Sequence, residues 1–322
     1  MASSVVSIII PAYNAEEYIA GCLDSLLGQS YYDINLTIID DGSTDRTAEI
    51  AASYAFRDSR IKLIQENNSG AAIARNTGFK ASHGEFVMFV DADDMLTSHT
   101  VEENVHFLVN NVELDWVSFP VRRMRHDDQS LHFDKSYKGF FPYEDKLIHQ
   151  TEFISSYFSG VLSELCCGSI FRRSSIADIS FPAGEYYEDS FYFTDVMAKT
   201  RCGMISTHGE YQYIERDNSS QHAELSYERL HSKMKSLLYR IKQFSRMEPQ
   251  YAQSYRAMED SLYNFFLFQR LKGNPHADDM IREFVDSIER IPRLKLSTRM
   301  KHGVIRLLGY ERLKALYHLF HK

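Results

Sequence analysis

Gly84-Glu-Phe-Val-Met-Phe-Val-Asp-Ala-Asp-Asp94 sets an unbroken apolar run directly ahead of three carboxylates in four positions. An apolar run without alternation is the pattern of a strand buried on both faces, as in a parallel sheet covered by helices. The same pattern occurs upstream at residues 5–10, closed by Pro11, and at 36–39, closed by Asp40-Asp41-Gly42-Ser43, with a shorter run at 61–64. Between these runs the periodicity changes. Residues 15–28 place Tyr18, Ile19, Cys22, Leu23, Leu26 and Leu27 on one helical stripe. A second helix is expected over 48–54, with Ser43 or Thr44 as its N-cap, and a third over 71–81. Strand and helix in alternation mean βαβ crossovers, hence an α/β fold around a mostly parallel, Rossmann-like sheet flanked by helices. Ligands of such sheets sit beyond the carboxyl ends of the strands. Three loops there carry chemistry: Pro11-Ala12-Tyr13-Asn14, Asp40-Asp41 and Asp91-Ala92-Asp93-Asp94.

Downstream the pattern predicts a helix over 101–110, a strand over 116–119, a strand-like piece over 168–173 and an aromatic-rich helix over 188–200. After about His222 the texture shifts to long helical segments. The expected organisation is therefore one α/β domain over 1–222 and a helical C-terminal region over 223–322.

Composition narrows the function. The 322 residues carry a net charge of −8, which argues against general nucleic-acid binding. The average conceals an asymmetry, because Ile291 to Lys322 holds eight Lys or Arg against Glu311 alone. In its last turns Leu313, Leu316, Tyr317 and Phe320 fall at helical spacing among Arg312, Lys314 and Lys322. Such a basic amphipathic tail either packs on the body or lies on an anionic membrane surface. The chain enters its first strand from Met1-Ala2-Ser3-Ser4 without a basic leader, and no apolar run approaches the roughly 20 residues of a membrane span. Cys22, Cys166, Cys167 and Cys202 show no zinc spacing. The expected compartment is the cytoplasm, peripheral to the cytoplasmic face of the inner membrane if the tail binds there.

Asp91 and Asp93, two apart on extended chain, project to one side and can share one ion. Hard oxygens select Mg²⁺ or Mn²⁺, which bridge phosphates. An aspartate turn of this kind is also an ordinary capped turn, with Asp94 as an N-cap. A dehalogenase-type phosphatase needs Thr or Val where Met95 stands, and an EF-hand needs a longer ligand series ending in Glu.

Four segments occur in order: Val6-Ser-Ile-Ile-Ile-Pro-Ala-Tyr-Asn14, Ile38-Ile-Asp-Asp-Gly-Ser-Thr-Asp45, Ala74-Arg-Asn-Thr-Gly78 and Gly84 to Asp94. Together they closely resemble the family 2 glycosyltransferases, the large inverting group with a GT-A fold, of the type that builds bacterial cell-surface polysaccharides. The resemblance is strongest over the first hundred residues. It implies a UDP-sugar donor, with Tyr13 stacked on the base, backbone near Pro11 touching it, and Asp41 accepting from its imide N–H. It places Asp91 near the ribose and Asp93 on an Mn²⁺ or Mg²⁺ ion. Arg75 would neutralise diphosphate or form a structural ion pair. Asn76 and Gly78 read as helix-packing residues.

Glu185-Tyr-Tyr-Glu-Asp-Ser-Phe191 holds the Glu-Asp pair that the family carries at the start of a helix under the acceptor site. By resemblance Asp189 is the catalytic base, beside Glu188, with Glu185 as a competing carboxylate. His222, after Tyr211 to Gln221, resembles a histidine that closes over the diphosphate and supplies a metal ligand. The implied reaction is inverting sugar transfer to a hydroxyl of a glycan or lipid-linked glycan, in capsule, O-antigen or lipopolysaccharide synthesis. Two alternatives differ in kind. A nucleotidyltransferase of related fold would open on a Gly-rich basic loop, and Pro11 to Glu16 has neither Gly nor cation. A catalytically inactive, membrane-associated partner subunit would not need Tyr13, Asp41, Asp91, Asp93 and Asp189 together.

Overall fold

The structure, a computed structural model, describes residues 4–126, 131–133, 142, 144–158, 166–215 and 226–247, with five further positions between 276 and 283. The chain divides into two compact units, 1–258 and 259–322. The first is built from β1 (Val6–Ala12), α1 (Ile19–Leu27), β2 (Ile34–Asp41), α2 (Thr47–Arg57), β3 (Ile61–Glu66), α3 (Ala71–Ala81) and β4 (Phe86–Phe89). It continues through β5 (Met95–Leu96), α4 (Thr100–Asn110), β6 (Trp116–Ser118), β7 (Val121–His126), β8 (Leu131–Phe133), β9 (Lys146–His149) and α5 (Gln150–Phe158). It ends with β10 (Ser169–Arg172), α6 (Arg173–Ile176), α7 (Glu188–Lys199), β11 (Cys202–Ile205), β12 (Tyr211–Glu215) and α8 (Tyr227–Met247).

The main sheet runs β3-β2-β1-β4-β10-β6-β11-β9. Its first four strands are parallel, β10 lies antiparallel to both β4 and β6, and β6 and β11 are parallel. A second sheet, β5-β12-β7-β8, stands beside it. The apolar runs become the strands they predict: Val6, Ile8, Ile9, Ile10, Leu36, Ile38, Ile39 and Phe86 to Met88 are wholly buried. Helix α3 lies against β1 and β2, and Gly78 permits it, because a Cβ there would meet Ile9 Cγ2 at 2.4 Å.

Three local expectations shift. Pro11 does not end the first strand, which continues to Ala12 paired with Asp40 of β2. Ile9 turns its carbonyl toward β4, accepting from Val90 N–H, so Pro11, two residues on, faces the same side. Strand β4 stops at Phe89, and the missing N–H of Pro11 has no partner to disappoint. The first helix begins at Ile19, after a turn. Neither Ser43 nor Thr44 caps α2, which starts at Thr47. The Thr47 N–H donates to Asp45 Oδ1 at 3.0 Å, while the Thr44 N–H is held by Asn14 Oδ1 at 2.8 Å.

Helix α8, beyond residue 222, lies in the first unit and is bolted to α7. The wholly buried Arg240 donates from Nη2 to Ser190 Oγ at 2.7 Å and from Nε to Thr194 Oγ1 at 3.0 Å, and Tyr239 donates to Asp195 at 2.6 Å.

Candidate active site

A cavity of about 520 Å³ opens at the carboxyl ends of β1, β2 and β4. Pro11 and Ala12 line it from β1, Tyr13 and Ala15 from the turn that follows, Asp41 from β2, Ala71 and Arg75 from α3, and Asp91 to Asp94 from the turn after β4. Cys166, Cys167, Tyr186 to Asp189, Tyr213 and Arg229 complete the wall. The three loops that converge in the sequence argument converge here.

The β1 and β2 loops are laced together. Asn14 takes a left-handed φ of 47°, which Asn tolerates, and donates its N–H to Ser43 Oγ at 3.0 Å. Ala15 N–H donates to Thr47 Oγ1 at 2.7 Å. Tyr13, 49% exposed, is thereby presented on a braced turn. Asp41 is buried, and its two oxygens accept the Ser69 and Gly70 N–H groups at 2.7 and 2.8 Å. A carboxylate has about four lone-pair sites, so each oxygen retains one.

The aspartates after β4 do not follow the extended geometry expected of them. The chain turns, and Asp94 N–H bonds back to Asp91 O at 3.1 Å. Asp91 and Asp93 reach the same cavity through that turn, and the three carboxylates fall into three environments. Asp91 accepts from Arg75 Nη2 at 2.8 Å. Asp93 lines the cavity. Asp94 is buried and caps no helix; it accepts from Tyr211 O–H at 2.5 Å and Ile214 N–H at 2.8 Å. Burial, with Asp93 and Asp91 close by, pushes its carboxyl well above the usual range, against the pull of those two bonds. The Tyr211 hydroxyl also accepts the Asp91 N–H at 3.2 Å, so one side chain of β12 braces the whole turn. Nothing in the local sequence marks Asp94 and Tyr211 as partners, since 117 positions separate them.

Arg75, on the cavity wall, forms ion pairs with carboxylates on two sides. Its Nη1 reaches Glu188 at 2.7 Å and its Nη2 reaches Asp91, while the guanidinium lies 5.3 Å over the Phe181 ring. Burial works against its charge, but Asp91, the neighbouring thiols and Glu188 hold it well above the ordinary arginine value. Asn76 exchanges two bonds with the Phe181 backbone, at 2.8 and 3.0 Å, and so fixes the segment leading into α7. Asp189 sits in the first turn of α7, where its Oδ1 accepts the Ser190 N–H at 2.8 Å. Glu185 turns elsewhere, bonded to Ser232 Oγ at 2.8 Å and Lys235 Nζ at 3.0 Å of α8. His222 and the basic tail over 291–322 lie outside the described residues. All four cysteines are free and buried.

Among the described residues no three His, Cys, Asp or Glu side chains form a metal cage. The donors that are present, Asp93 with Asp91 beside it, are hard oxygens. They suit Mg²⁺ or Mn²⁺, which takes one or two carboxylates and completes its shell with water and substrate phosphate.

The family described as Glycosyl transferase family 2 matches residues 7–179. The chain belongs to this family. Its fold is of the GT-A type. The uncharacterized Bacillus subtilis glycosyltransferase EpsJ is 50% identical over 94 residues, 29% of this chain and 27% of EpsJ, so the match spans about a quarter of that protein. Among solved structures, S. aureus TarS in complex with UDP-GlcNAc superposes with a TM-score of 0.69 at 20% identity, covering 90% of this chain and 83% of that one. The mannosyltransferase PcManGT of Pyrobaculum calidifontis, in complex with GDP-Man and Mn²⁺, gives 0.56 at 17% identity, covering 97% and 82%. These likenesses fix the fold. The site residues named above lie within the family match as far as Cys167, and those from Phe181 onward lie beyond it.

Proposed function

We propose that this chain transfers a sugar from a UDP-sugar to a hydroxyl of a glycan acceptor, with inversion at the anomeric carbon, in the assembly of a bacterial surface polysaccharide. The observation that carries this is a shared wall: Asp91 and Asp93 after β4, and Glu188-Asp189 at the head of α7, line one cavity and are joined through Arg75. Tyr13 would stack on uracil, backbone at Pro11 would touch it, and the remaining lone pairs of Asp41 would accept its imide N–H. Asp91 would lie by the ribose. Asp189 takes the acceptor proton while that oxygen bonds to the anomeric carbon, and the bond from that carbon to the diphosphate breaks with its electrons leaving on UDP. An Mn²⁺ or Mg²⁺ ion on Asp93, with His222 as a further ligand, would supply Lewis-acid compensation for the charge gathering on the diphosphate. The rest is positioning and charge stabilisation by the protein.

Two neighbours support this: TarS was crystallised with UDP-GlcNAc, and PcManGT with a nucleotide sugar and Mn²⁺. The test is UDP release from a panel of UDP-sugars, with Mn²⁺ and with chelator, followed by product analysis. Metal-dependent release supports the transferase. A chain that binds no nucleotide would instead be an inactive partner subunit.

Among the described residues no helix is long and apolar enough to cross a membrane. The basic sequence over 291–322 supports an acceptor at the cytoplasmic face of the inner membrane.

A further inference from the structure

Cys166 and Cys167 are consecutive in the chain, free and buried, and both stand on the wall of the cavity. The chemistry proposed above uses neither. A hydrogen bond joins the two thiols, so their sulfurs touch, and Arg75 and Asp91 lie near them. The pair is held from the β10 side. Gly168 takes a left-handed φ of 87°, where an added Cβ would meet Val121 Cγ2 at 2.7 Å. Its carbonyl accepts the Phe119 N–H at 3.0 Å. Cys22 and Cys202 do not line the cavity, and the Cys22 thiol donates to the Asp91 carbonyl at 3.6 Å.

Two sulfurs so placed are poorly suited to bonding with each other. Consecutive Cα atoms across a trans peptide stand about 3.8 Å apart, short of the roughly 4.4–6.8 Å usual in a disulfide, so direct closure would strain the backbone. An atom inserted between the sulfurs removes that conflict, because they can then stand further apart than the ~2.05 Å of an S–S bond. The inserted atom must be soft to prefer sulfur, and small enough in coordination number to need only two ligands from the protein. Trivalent arsenic carrying one organic group meets both conditions.

We infer that Cys166 and Cys167 form a chelating dithiol site for a trivalent arsenical, reached through the active-site cavity. With an arsenical R–As=O, two As–S bonds form while the As–O double bond and both S–H bonds break. The oxygen leaves as water with the two thiol protons, and arsenic stays trivalent, so no oxidant is required. The inference stands apart from the transferase reading, because it depends on the thiols and the cavity alone.

Phenylarsine oxide on the full chain tests it, followed by intact-mass measurement. One phenylarsenic group per chain is expected, removed by dimercaptopropanol and retained against mercaptoethanol. Denaturation and alkylation of the adduct should then label Cys22 and Cys202 and spare Cys166 and Cys167, which locates the arsenic without any variant. Cys166→Ser and Cys167→Ser should each weaken binding by about 10²-fold or more, as loss of one arm of a chelate does, whereas Cys22→Ala and Cys202→Ala should retain the adduct. Absence of an adduct, an adduct unaffected by the serine variants, or alkylation of Cys166 and Cys167 in the adduct overturns the inference. Saturating UDP with Mn²⁺ should slow capture, and an undiminished rate in a chain that binds UDP would overturn the route through the cavity. A chain that binds no UDP removes the transferase instead, and the adduct and its location still decide the dithiol site.

Discussion

Arg75 and Glu188 lie 113 positions apart and meet at 2.7 Å, while the other arm of the same guanidinium holds Asp91 at 2.8 Å. A planar fork thus ties the turn that follows β4 to the first residue of α7. Its two carboxylates belong to the two halves of the site, so any displacement of one half is felt by the other.

Removing that fork leaves two partly buried carboxylates facing each other without compensation. Arg75→Met should destabilise the protein by about 3 kcal/mol, the lower end for a broken buried pair since Asp91 is still partly exposed. Arg75→Lys should recover less than about half of this, because a point charge cannot bridge both partners. Urea unfolding and UDP release measure the two effects. A lysine variant as stable and active as the parent would show that charge alone suffices.

Tyr211→Phe deletes the hydroxyl that serves both Asp94 and the Asp91 N–H. A buried carboxyl left short of a donor costs about 1–3 kcal/mol. The turn should also loosen, weakening Mn²⁺-dependent UDP binding about tenfold, which calorimetry would register. Unchanged metal affinity in a destabilised variant would confine Tyr211 to packing.

Asp189→Asn should lower kcat by about 10²-fold or more with little change in UDP affinity, as loss of a general base does. Glu185→Gln should leave kcat within about threefold and act on stability instead, because Glu185 is engaged with Ser232 and Lys235 of α8. If the glutamine variant proves the slower enzyme, the base is Glu185.

Acid should weaken the fold through three aspartates. Partial burial opposes ionisation of Asp45 and Asp145, yet bonds from Thr47 and Glu16, and from Thr207 and His208, hold both below the usual carboxylate range. The Arg60 side chain and backbone do the same for Asp58. Each takes up its proton less readily folded than unfolded. Their stabilisation is complete above about pH 4, the unfolded value, and is lost as the pH falls through the lower folded values. Urea midpoints at neutral and acid pH check this. Asp58→Asn should be destabilised relative to the parent at neutral pH and should converge with it in acid. A constant gap between the two would remove Asp58 from the acid limb.

The basic segment over 291–322 should draw the chain to anionic liposomes and release it as salt rises, since each cation contributes about 1 kcal/mol near such a surface and screening shortens its reach. Truncation after Arg290 should weaken co-sedimentation. Equal partitioning of truncated and full-length chains would assign the tail to packing.

Much of the site was legible because its carriers are local. Unbroken apolar runs name the strands, and a loop at a strand's carboxyl end can be placed without coordinates. Tyr13, Asp41, Asp91 and Asp93 therefore fall in one cavity as their strand positions require. The Glu-Asp pair opens a helix as predicted, because helix periodicity and first-turn acids are also local properties. The small strands β5, β7 and β12 were not legible. Their side chains pack on a second sheet whose partners lie far along the chain, and short pieces carry too little periodicity to be recognised.

What folding added was pairing. Local sequence gives Arg75 on a helix and aspartates in a loop, and it leaves open whether the cation meets phosphate or carboxylate. That choice follows from the approach of α3 to β1, which the missing side chain of Gly78 allows, and from Asn76 pinning the Phe181 segment so that Glu188 arrives beside the guanidinium. Asp91 and Asp93 were placed side by side by strand geometry, whereas the folded chain brings them together through a turn that Asp94 and Tyr211 hold shut. Periodicity is written in neighbouring residues. The partner of a buried charge is set by which distant surfaces close over it, because desolvation rewards only those arrangements that satisfy every polar group at once.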